Sequence, residues 1–459
     1  MFSGYESQVP PTHPCQMSDR THWRRRSPSP LAAGHSPFVR YLSRWAKSGI
    51  AVGLFAVTTA GGAPSVAQEA ASPSLPEVAP ATDPAASSSA DTPPTTVEVP
   101  LTPEQEALVQ QFIDARRTWA ETLVEMRHLE IRYSNEVDRS PENMDRFAEL
   151  RDRARGEMRT LFSIAEKLYA ELGNDAETGR FLLRTIEYRQ QKSVYEDSYN
   201  AARLLIDSGI PVPALSVFAA RCAFLEGRFE EVLPLYKRFV ETEGPDKLEQ
   251  VDQQLGGLLE AYPQWWAEEL AIREAEAKAD DLPRVLLETT RGPVVLELFE
   301  NNAPNTVANF IRLVEEGFYN ESEFYQVIDD LLAMGGDPVG DGSGTSGKFL
   351  PDEHDRADRR RIFRGSIFMA KRSEGEDTGR LVANSASCQF VIALMPMAPR
   401  DPSQTVFGRV IEGMDVVGSF RRLDPSEKQD AVVVLPPDRI LRASVIRKRG
   451  HDYPVTYAP

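Results

Sequence analysis

Residues 324–344 constrain the fold of this chain more than any other stretch. Phe324-Tyr325-Gln326-Val327-Ile328 is a short apolar run, and Met334-Gly335-Gly336-Asp337-Pro338 follows it, with more glycines at 340, 342 and 344. A run this short, bounded by Gly, Pro and Asp, reads as strand and tight turns rather than helix.

The chain has 459 residues, room for two or three domains, and its 26% charged and 41% hydrophobic residues are ordinary for a globular protein. Its net charge of -17 is uneven. Residues 1–67 are basic, with Arg20, Arg24, Arg25, Arg26, Arg40, Arg44 and Lys47 against Glu6 and Asp19. The rest is therefore more acidic than the total. An acidic body without a basic stripe argues against nucleic acid and anionic lipid as partners.

That basic start leads into an apolar run from Ser48 to Val57, and Ser65-Val66-Ala67 then fits a small-residue cleavage site before Gln68. The pattern predicts a signal peptide over 1–67, hence an exported, periplasmic or otherwise extracytoplasmic protein; an uncleaved anchor is the other reading. No other stretch is long and apolar enough to cross a membrane. Residues 68–101, rich in Pro, Ala, Ser and Thr, are expected to be a disordered linker. Only Cys222 and Cys388 lie beyond the leader, too few for a disulfide framework. The histidines are scattered without H-x-x-H or C-x-x-C spacing, so neither a metal nor a cofactor is expected.

Residues 102–281 read as an all-α domain. Thr102-Pro103-Glu104-Gln105 is a capping-box start, and Leu108, Phe112, Ala115, Trp119, Leu123 and Met126 recur at helical steps. Ser140-Pro141 opens a second helix carrying Met144, Phe147, Ala154, Met158, Leu161, Ala165 and Leu168, closed by Gly173-Asn174. Breaks fall at Gly209 and at Gly244-Pro245. From Ala219-Ala220 through Ala223, Gly227 and Phe229 to Val232, the chain resembles one tetratricopeptide repeat: small residues where helices cross, and glycine in the turn. An unrelated helical bundle is the alternative. Trp265 and Trp266 read as core.

The last domain, 284–449 with a tail over 450–459, begins with a hairpin, Val285 to Thr290 and Val294 to Phe299 around Arg291-Gly292-Pro293. A helix follows, with Pro304 in its first turn. These residues resemble a cyclophilin, the family of peptidyl-prolyl cis-trans isomerases (rotamases). The likeness continues through Gly317-Phe318-Tyr319, Phe324 to Ile328 and Gly335 to Gly344. It runs on through Arg364 to Ala370, Ser387-Cys388-Gln389-Phe390-Val391-Ile392, and Thr405-Val406-Phe407-Gly408-Arg409-Val410 to Met414. The resemblance implies a closed eight-stranded antiparallel β-barrel capped by helices.

X-Pro bonds exchange over tens of seconds or longer because rotation breaks amide resonance. The resemblance implies that a family arginine donates to the proline nitrogen while an apolar pocket holds the ring. Here the arginine position is Gln326, preceded by Tyr325. The pocket and peptide-contact positions fall on Leu331, Leu332, Met334, Lys371, Gln389, Val391 and Gln404, with the family tryptophan near Pro399. Arg356, Arg359, Arg360, Arg361, Arg372, Arg380 and Arg400, on loops of this domain, read as solvated surface charge. The expectation is a protein-folding isomerase with weak or lost activity. The alternative is a non-catalytic module that holds proline-containing segments of unfolded or secreted proteins, paired with a helical domain that recruits a protein partner.

Overall fold

The computed structural model describes residues 101–134, 141–173, 175–374, 380–397, 403–424 and 436–459. The leader, nearly all of the linker, Pro399 and Arg400 lie outside them. No helix among the described residues is long and apolar enough to cross a membrane. The chain divides into two compact units, one ending at Leu259 and the other running from Glu260 to Pro459.

The first unit is helical: α1 (Pro103–Ser134), α2 (Pro141–Leu172), α3 (Ala176–Gln191), α4 (Tyr199–Asp207), α5 (Ala214–Leu225), α6 (Phe229–Glu243) and α7 (Gln250–Leu258). The capping box forms as read: Gln105 N–H donates to Thr102 Oγ1 at 3.2 Å, and Thr102 N–H donates to Gln105 Oε1 at 3.1 Å. Phe112, Leu161, Ala165 and Leu168 of the two apolar stripes are buried, whereas Leu123 is exposed. Helix α5 is apolar nearly all round and central, as such a helix must be. Its Ala219, Ala220 and Ala223 are fully buried, and Gly227 takes φ 77° in the turn to α6, a conformation costly for other residues. Arg221 is buried within α5, where both oxygens of Asp252 accept from its guanidinium at 2.8 and 2.7 Å. This is a helical hairpin within a bundle; nothing establishes a repeat array.

The second unit opens with a helix, α8 (Tyr262–Ala279), that the sequence reading placed in the helical domain. Then come β1 (Arg284–Thr289), β2 (Gly292–Leu298), α9 (Pro304–Glu315), β3 (Gln326–Ile328), β4 (Leu332–Gly335), β5 (Ser366–Met369), β6 (Phe390–Ala393), β7 (Val406–Glu412), α10 (Met414–Gly418) and β8 (Ile440–Arg447). The strands form one antiparallel sheet in the order β3-β4-β6-β5-β7-β2-β1-β8. A closed barrel was expected; the sheet is a curled one whose end strands share no ladder. Its ends meet through an isolated bridge, Glu323 with Arg439, and Phe324 N–H donates to the Asp438 carbonyl at 2.8 Å. Strand β3 has only three residues, too few to pair fully on both sides.

Alternation sorts the strand residues into two clusters. Inside lie Val327, Ala333, Ile367, Met369, Phe390, Ile392 and Phe407, with Phe310 of α9. On the other face lie Tyr325, Leu332, Met334, Phe368, Val391, Ala393 and Val406, with Leu282, Phe299, Ile362 and Met397. Gly336 makes the turn after β4 at φ 82°, where an added Cβ would lie 2.8 Å from the Cys388 carbonyl oxygen. Residues 450–459 are no loose tail: Tyr453, Val455 and Tyr457 pack on the inner cluster, and Asn305 exchanges two hydrogen bonds with the Thr456 backbone at 2.9 and 2.7 Å.

Helix α8 belongs with the sheet because of charge. Arg360, with a side chain 1% exposed, makes a two-bond pair with Glu269 at 3.0 and 2.7 Å and also binds Glu276. Its guanidinium stacks 3.9 Å from the Phe299 ring centre. Arg409 continues the chain of charges, to Glu276 at 3.2 Å and Glu297 at 2.6 Å. The reading of Arg360 as solvated surface charge is therefore corrected. Sequence alone could not show that two glutamates on the preceding helix would bury it. Trp266 packs 5.3 Å from Phe363, and Arg361 lies 4.4 Å over Trp265.

Candidate functional site

The register of five strands sets one row across the outer face. Gln326 pairs with Met334, Met334 with Val391, Val391 with Phe368, and Phe368 with Val406. At about 4.8 Å per strand the row spans about 19 Å. A bulge at Phe407 turns that ring inward while keeping Val406 outward. The row therefore has a polar end at Gln326 and an apolar course beyond it.

Gln326 is 8% exposed, and among the described residues its carboxamide makes no hydrogen bond to the protein. It is free to donate an N–H to a ligand, but a neutral one. Next to it Tyr325 is committed: its phenol donates to Gln389 Oε1 at 2.6 Å. Burial first, and then the Asp337 carboxylate, push that phenol well above the ordinary tyrosine range, which keeps it a donor. Gln389 in turn donates from Nε2 to the Gly342 and Gly344 carbonyls at 3.0 and 2.7 Å. The Asp337 carboxylate accepts from Val339, Asp341 and Gly342 N–H, so the glycine loop is held from both sides. Tyr325 and Gln389 shape the groove edge; their hydrogen bonds are spent inside the protein.

Leu332, Met334 and Val391 join one apolar cluster, with Leu331 half-buried at its rim. Lys371 is not presented to solvent. Its side chain is 3% exposed, and its ammonium is ion-paired to Asp352 Oδ2 at 2.8 Å. His354, 3.9 Å from the other Asp352 oxygen, is held below the ordinary histidine range, first by burial and then by the Lys371 charge. Gln404 is 6% exposed, and its Oε1 is buried with no hydrogen-bond partner among the described residues. It precedes Val406 by two residues, so alternation places it on the same face.

A buried unmet carbonyl costs about 1–3 kcal/mol, so Gln404→Met should raise the unfolding midpoint in a thermal melt. A lowered midpoint would mean that the carboxamide is satisfied in solution.

Phe368 escaped the sequence reading. Its signal was the inward Ile367 and Met369 on either side, which force it outward, but its place beside Val391 depends on strand register.

A curled eight-stranded sheet with helices, bearing an apolar row beside a glycine loop, defines an antiparallel β domain with α-helices. The family model for cyclophilin type peptidyl-prolyl cis-trans isomerase/CLD matches residues 284–445. Peptidyl-prolyl cis-trans isomerase-like 1 of Mus musculus is 36% identical over 150 residues, covering 33% of this chain and 86% of that protein. The protein of the same description from Neurospora crassa is 33% identical over 168 residues, covering 37% and 97%. A crystal structure of a Cryptosporidium parvum cyclophilin type isomerase, in the presence of dipeptide ala-pro, aligns at 24% identity and TM-score 0.30, covering 35% of this chain and 98% of that one. The chain belongs to the cyclophilin-type peptidyl-prolyl cis-trans isomerase family.

Proposed function

We propose that this protein binds proline-containing or apolar segments of unfolded or secreted proteins on the outer face of its sheet, and that it isomerises X-Pro bonds slowly or not at all. The supporting observation is the Gln326 carboxamide, without a hydrogen bond to the protein among the described residues, at the end of an apolar row. Catalysis requires stabilising the twisted amide more than the planar forms. A neutral donor does this less well than a guanidinium, by about 1 kcal/mol against 1.5–3 for a charged one. The signal-peptide pattern of residues 1–67 supports work outside the cytoplasm, and the helical unit, with its α5–α6 hairpin, would recruit a protein partner.

The test is cis/trans exchange of a short X-Pro peptide followed by NMR with the full chain present. Peptide shifts that report binding, with exchange close to the uncatalysed rate, are expected. Exchange far above that rate would overturn the reading of slow turnover; absent shifts would overturn binding.

A further inference from the structure

We infer that Phe368 is a plug: its ring fills the room that a proline ring would need, and it must move before a peptide can seat. This rests on the peptide-binding reading above. Phe368 lies in the middle of the row, directly opposite both Val391 and Val406, and is its largest side chain. Directly opposed side chains on one face have Cβ atoms about 4.5–5.5 Å apart, so the ring and these valines occupy one space.

The wall of an open pocket must leave one surface free for its ligand. Phe368 is 3% exposed, Val391 3%, Val406 4% and Met334 9%, so this row has no free surface. The neighbouring Ile328, Leu331 and Ala370, by contrast, are only partly buried against the same cluster. Ligand contact is thus available at the rim while the centre is filled.

The composition of the row explains how it fills. Val391 stands where the family resemblance puts a pocket phenylalanine, and a ring appears one strand over, at Phe368. Cores tolerate such exchanges when total volume is kept. The swap preserves packing and removes the cavity. Peptide affinity then carries the penalty of populating the ring-out state.

The test uses the full chain with labelled Met and Val methyl groups, as wild type, Phe368→Ala and the milder Phe368→Leu. Cyclopentane serves as an apolar five-membered-ring probe, and an acetylated Ala-Ala-Pro-Ala peptide as the ligand. Cyclopentane should shift the Met334 and Val391 methyls in Phe368→Ala but not in wild type. The peptide should bind about tenfold tighter to Phe368→Ala, with Phe368→Leu between. Cyclopentane shifts of equal size in wild type would show an open pocket and overturn the plug. Unchanged or weaker peptide binding in the variant, with wild type still binding, would make the ring a wall and overturn it too. If cyclopentane enters only the variants and no form binds peptide, the plug stands and the peptide-binding reading falls. Should Phe368→Ala fail to fold, Phe368→Leu carries the same comparisons.

Discussion

Replacing Arg360 by alanine should lower the stability of the sheet-bearing unit by about 3 kcal/mol, because two buried carboxylates lose the cation they share. Glu269 is 4% exposed and Glu276 11%; without Arg360 the first keeps Arg273 at 2.7 Å and the second Arg409 at 3.2 Å. The stack on Phe299 is lost as well. For a unit of this size, 1 kcal/mol moves the midpoint by about 2–4 °C, so calorimetry of the full chain should show one transition fall by roughly 6–12 °C. The double replacement Arg360→Met with Glu269→Met should recover much of the loss, since well-packed apolar groups substitute for buried pairs at little cost. A shift under about 2 °C for Arg360→Ala would mean that α8 is held by its aromatic contacts and that the charges are incidental.

Gln326→Arg should accelerate cis/trans exchange by about fivefold or more over wild type. A charged donor exceeds a neutral one by roughly 1 kcal/mol or more, and each 1.36 kcal/mol is a factor of ten in rate. The side chain already stands at the polar end of the row, opposite Met334, with no protein hydrogen bond to break among the described residues. Combining it with Phe368→Ala should raise the rate further, because the first change supplies the donor and the second admits the ring. If the arginine variant exchanges the peptide no faster and the double variant does no better, the defect lies elsewhere than in this row. The glycine-loop edge held by Tyr325 and Gln389 would then be the place to look.

What could be read from the sequence was local. The Thr102–Gln105 cap, the proline-led α9, the hairpin around Gly292 and the strand alternation that sends Ile367 and Met369 inward all depend on neighbours a few residues apart. The family blocks likewise named Gln326, Met334 and Val391, which strand register sets side by side in one row. Some placements could not be read this way, because their causes lie far along the chain. Lys371 looked like a groove residue, yet its ammonium is drawn onto Asp352, nineteen positions earlier. Phe368 was given no role by the sequence; register sets it against Val391 and Val406.

The sequence by itself therefore determined the leading helices, the first hairpin and the family of the sheet domain. Periodicity, caps and turns are set by short-range sterics and hydrogen bonding. Only the tertiary structure decided which unit owns α8, where the charge of Arg360 is spent and what fills the centre of the row. Those outcomes come from pairing between distant segments, where burial makes an ion pair or an aromatic ring matter and no local pattern records the partner.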